Sequence, residues 1–118
     1  MLNKNNIRVL LSKMTEEMHS NVKKIKSAFG SLDYTDDDNQ SILHILVDDK
    51  HDEAKCFLAV KSLLQIGLSP NLEADYNYNF IQTALYAGYS EEFILNIINE
   101  SLKYNLKLSV SGSGIKLT

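Results

Sequence analysis

A chain of 118 residues, 44% apolar and 23% charged, has room for one hydrophobic core, which excludes both a multidomain protein and a disordered one. A net charge of −3, a pI near 5.5 and a single arginine, Arg8, among twelve basic residues exclude a nucleic-acid reader, which needs a basic stripe and bidentate arginines. No apolar run reaches the roughly 20 residues of a membrane span, residues 1–6 lack the apolar core of a signal peptide, and one cysteine makes no internal disulfide. The expectation is a cytoplasmic protein, with no membrane partner, held together by packing alone.

One proline and five glycines leave few helix breakers, so the chain is expected to be all-α. Apolar residues at Ile7, Leu10, Leu11, Met14, Met18, Val22, Ile25 and Phe29 recur at helical spacing, as one helix or as two if Thr15 caps a second. Gly30 closes this region and the acidic stretch 31–39 is a loop. The run Ile42, Leu43, Ile45, Leu46, Val47 is too short and too apolar to classify by period. Ala54, Phe57, Leu58, Val60, Leu64 and Ile66 mark a helix capped by Asp52 and ended by Gly67. Residues 68–79, with Ser-Pro-Asn and two Asn-Tyr pairs, are a connection, and residues 81–89 a short helix. Ser90, followed by Glu91 and Glu92, caps a last helix that stops near Asn105; residues 106–118 alternate apolar and polar residues as an arm or hairpin.

The order short helix, longer helix, exposed connection occurs twice, which directs attention to internal repeats. Gly30, Gly67 and Asn105, each tolerant of positive φ, follow helix ends at spacings of 37 and 38 residues; Ser41, Thr83 and Thr118 follow polar connections at spacings of 42 and 35.

Val60-Lys61-Ser62-Leu63-Leu64-Gln65-Ile66-Gly67-Leu68-Ser69-Pro70-Asn71 resembles the second helix and exit turn of an ankyrin repeat, V-x-x-L-L-x-x-G-A-x-P-N. Ser41-Ile42-Leu43-His44-Ile45 resembles the T-P-L-H-x-A start of its first helix, and Thr83-Ala84-Leu85-Tyr86-Ala87 resembles it again. The resemblance covers residues 36–108 and implies an ankyrin-like solenoid: a helical cap over 1–34, repeats over 35–72 and 73–108, and the start of a further finger or tail over 109–118. In this register His44 to Gly67 exceeds the family spacing, implying an insertion around 48–53, and the finger from Gly67 to Thr83 is long. The implied core contains Leu43, Leu63, Leu64, Leu85, Ile97 and Leu102. A stop on a motif residue, Thr118, is expected of a piece of a longer array.

No residue set suggests catalysis, a cofactor or a metal. His44 takes the family's structural histidine position, and Cys56 lies beside Phe57 and Leu58 as a core residue. A calcium loop from Asp36 needs glycine and glutamate where Ser41 and Val47 stand, and Ser111-Gly112-Ser113-Gly114 lacks the Gly-Lys-Ser/Thr ending of a phosphate loop. What remains is surface: the acidic stretch with Asp36 and Asp37, then Asp75, Tyr76, Tyr78 and Tyr89 in and after the long finger, where aromatics anchor partners. Phe80, Tyr86 and Ala87 are expected to turn inward. These residues predict a non-catalytic protein-binding module whose partner is another protein. Two forms are open: a stand-alone regulatory or immunity-type protein that sequesters one partner, and an accessory segment of a larger secreted effector delivered to a host cell.

Overall fold

A computed structural model describes residues 4–13 and 34–107. Five α-helices and one 3₁₀ turn, Asp75–Asn77, make up the regular structure, with no strand among the described residues. The helices are α1 (Lys4–Lys13), α2 (Ile42–Asp48), α3 (Glu53–Gln65), α4 (Phe80–Ala87) and α5 (Glu91–Leu102). The expected close at Gly30, the Thr15 cap and the arm beyond residue 107 lie outside the described residues.

Each of α2 to α5 begins on a side-chain cap. Asp52 Oδ2 accepts from the Lys55 amide at 3.1 Å, and Ser90 Oγ from the Phe93 amide at 3.2 Å, as expected from sequence. Ser41 and His44 form a reciprocal capping box on α2; Asn79 and Gln82 form one on α4. The ambiguous run 42–47 is therefore helical. Its five apolar residues point all round because every residue from Ile42 to Val47, His44 included, is buried, with α1, α3 and α4 packed against α2.

The helices form two hairpins, α2 with α3 and α4 with α5, stacked so that α2 packs on α4 and α3 on α5. An offset of 38 residues carries the backbone hydrogen bonds of the first hairpin onto those of the second. Asp36 N to Gln40 O becomes Ala74 N to Tyr78 O; Asn39 N to Asp36 O becomes Asn77 N to Ala74 O; Leu68 N to Leu63 O becomes Leu106 N to Ser101 O. The bonds that open the helices obey the same offset: Ile45 N to Ser41 O becomes Thr83 N to Asn79 O, and Cys56 N to Asp52 O becomes Ile94 N to Ser90 O. Positive φ recurs at Asn39 and Asn77, and at Gly67 and Asn105.

This register corrects the sequence alignment. The partner of Ser41 is Asn79, and Thr83 lies a turn into α4. His44 to Gly67 and Gln82 to Asn105 are therefore the same length, so residues 48–53 are no insertion into one hairpin, and the connection before α4 is one helical turn shorter than expected. Leu85 consequently occupies the place of Val47 and is 40% exposed instead of buried. Leu102 is aligned as expected with Leu64, yet is 46% exposed.

Ile7 and Leu11 of α1 are buried against α2, and Arg8 pairs with Asp49 and, at 3.2 Å, with Asp48 at the end of α2. Polar bonds lock the hairpins together. Glu53 accepts from Ser90 N at 2.8 Å and Ser90 Oγ at 2.6 Å, contacts that hold its carboxyl below the usual range. Asn71 donates to Asn105 O and accepts from Lys107 N.

Candidate functional site

The connections before α2 and α4 end in tight turns that stack on each other. Asp36 Oδ1 accepts from the amides of Asp38 and Gln40, both at 2.9 Å, and its Oδ2 from Gln40 Nε2 at 3.1 Å. Asp36 thus spends its carboxylate on shaping the first turn. Asp75 N donates to Asp38 O at 3.0 Å, and Asn39 Nδ2 to Asp75 Oδ1 at 2.7 Å, so the second turn is seated on the first.

His44 carries this stacking into the helices. Its Nδ1 accepts from the Ser41 amide at 3.1 Å, which leaves the proton on Nε2 to donate to Tyr78 O at 2.8 Å. Burial lowers the pKa of His44, keeping the ring neutral in this tautomer. Its structural position agrees with the sequence reading.

Beside the stacked turns, along α2 and α4, lies an open groove of about 570 Å³ lined by Asp38, Asp48, Asp75, Tyr76, Tyr78 and Tyr86, among others. Tyr76, at φ +67°, is held out into solvent, 86% exposed. The Tyr78 and Tyr86 rings are 5.4 Å apart and their hydroxyls 3.2 Å, and this bond is the main cause that raises the Tyr78 pKa. Among the described residues no lysine or arginine lines the groove, and Arg8 reaches its Asp48 from outside at 3.2 Å. The groove thus brings aromatic rings and carboxylates together on one surface.

Of the residues expected to face a partner, Asp75, Tyr76 and Tyr78 come together in the groove. Asp37 is exposed on the first turn but does not line it. Tyr89 is a correction: it is 6% exposed and stacks on Phe93 with ring centroids 4.3 Å apart. Its hydroxyl donates to Asp49 O at 2.8 Å and accepts from His51 N at 3.0 Å, pinning the α2–α3 turn of the first hairpin to the second. Burial raises its pKa. Tyr86 is the converse correction. Expected to turn inward, it is 71% exposed, because in the 38-residue register it takes the place of Asp48, a surface position. Phe80 does face inward, and Ala87 is half-buried. Asp38 belongs to the acidic stretch already noted, whereas Asp48 and Tyr86 are among the groove residues that sequence reasoning missed; aligning Gln82 with His44 would have found Tyr86.

Cys56 is fully buried, with its thiol pushed up to about 11 by desolvation. Among the described residues no group of three His, Cys, Asp or Glu side chains is placed to hold a metal ion, and no helix is long and apolar enough to cross a membrane. Comparison with protein families, with curated proteins and with solved structures finds no match to this chain.

Proposed function

We propose that this chain is a non-catalytic protein-interaction module of ankyrin-repeat type that binds another protein in the groove formed by its stacked turns and short helices. The single observation that carries the reading is the groove itself, where Tyr76, Tyr78 and Tyr86 stand beside Asp38 and Asp75. The exposed rings of Tyr76 and Tyr86, with half-buried Tyr78, supply large contact area at small entropic cost, and the carboxylates of Asp38 and Asp75 favour a partner with a basic segment. The 38-residue hydrogen-bond register supports the repeat assignment, because stacked units of one design hold neighbouring turns in fixed relation. Buried, unpaired Cys56 suits the reducing cytoplasm.

The test is a peptide array spanning basic and acidic sequences, probed with the intact chain and with the Tyr76→Ala/Tyr78→Ala double variant. Basic peptides should be retained by the native chain, lost at high salt, and bound at least tenfold more weakly by the variant. Equal retention by both proteins removes the groove from recognition.

A further inference from the structure

The register that relates the hairpins also states what each position of the second would touch if the stack continued. In the first hairpin Val47, Val60 and Leu64 are at most 1% exposed, beneath α4 and α5. Their counterparts in the second are Leu85, 40% exposed, Ile98, half-buried, and Leu102, 46% exposed; Leu95, in the place of half-buried Phe57, is 52% exposed. Leu95, Ile98 and Leu102 share one face of α5. This band repeats an interface already present inside the molecule, and no described residue takes the place of its second half. Glu91 stands likewise at the position of Glu53, which reaches the neighbouring hairpin's cap.

We propose that a second copy of this chain covers the band, forming a two-fold dimer through α4 and α5. What covers the same positions in the first hairpin is an apolar helix pair, and the second copy presents one. Head-to-tail stacking on the first hairpin would have to displace α1, whose Ile7 and Leu11 are buried and which packs on α2. The remaining pairing joins like face to like face. Laid antiparallel, α5 on α5, Leu95 meets Leu102 of the second copy. That register brings Glu92 to the second copy's Lys103, whose side chain pairs with Glu100 at 3.1 Å in its own chain but is 68% exposed and so open to a second carboxylate, and symmetry makes the charge pair twice.

The experiment is sedimentation equilibrium of the intact chain from about 5 to about 300 µM, the range in which a modest interface associates. A mass rising from 13.3 kDa to twice that value is expected; a monomer throughout overturns the proposal. Leu95→Lys/Leu102→Lys should weaken the dimer at least tenfold while the helical circular dichroism is unchanged, since both residues are exposed in the monomer. A dimer indifferent to this pair overturns the assignment to this face. Glu92→Lys and Lys103→Glu should each weaken association and together restore it. A double variant as weak as the singles overturns the antiparallel register.

Discussion

The two hairpins have one backbone and two sets of side chains, and the difference between them separates what the chain path requires from what the neighbours require. The bonds that open α2 and α4, open α3 and α5, and close α3 and α5 coincide under the 38-residue offset. The caps differ in chemistry: Ser41 with His44 in one, Asn79 with Gln82 in the other, each satisfying the amides that a helix start leaves free. The largest divergence is in burial. Leu64 and Leu102 are the same residue at the same place, one 1% and the other 46% exposed, because α5 covers the first and no described residue seals the second.

The strongest way to break this comparison is to truncate both leucines. Leu64→Ala should cost about 2–5 kcal/mol, the transfer of a buried side chain plus the cavity left behind. Leu102→Ala should cost under about 1 kcal/mol in the monomer. Urea denaturation at low protein concentration measures both, and equal losses would mean that the two hairpins are not distinguished by covering. Next in size is Tyr89→Phe, which leaves Asp49 O and His51 N without the hydroxyl that joins them across the hairpins. A loss of about 1–2 kcal/mol is expected. Hydrogen exchange should quicken at the His51 amide, and an unchanged rate there would sever the proposed link.

The smallest effect is set by pH. His44 has a folded pKa below its ordinary 6.5, so the unfolded chain takes up the proton first as pH falls. The stability this residue contributes is complete above about 6.5 and is lost progressively on acidification below it. His44→Gln, which imports the capping partner of the second hairpin, should lose the bond to Tyr78 O at neutral pH and flatten the acid decline below pH 6.5. A slope as steep as that of the native chain would assign the decline to other groups.

Much of the helical architecture was legible because its signals are local. Asp52 and Ser90 announce helices through the amides next to them, and Gly67 and Asn105 end helices because they accept positive φ. The same locality misled the alignment of the second short helix. Thr83-Ala84-Leu85-Tyr86 resembles a motif start, but the capping box at Asn79 and Gln82 fits the free amides, and a shift of one helical turn exposes Leu85 and Tyr86, both expected to be covered, while Phe80 stays buried. In the candidate site, Tyr76 and Asp75 stood out as loop residues, while Asp48 became part of the groove only by the stacking of α2 on α4.

Residue order alone thus determined the helical class, the caps at Asp52 and Ser90, the closures at Gly67 and Asn105, and the existence of two similar halves, since each depends on groups a few residues apart. Tertiary structure decided the 38-residue register, the inward turn of Tyr89, the outward turn of Tyr86 and the exposure of Leu102. Burial belongs to pairs of surfaces: a leucine is core only where a second helix displaces its water, and no local pattern carries that information.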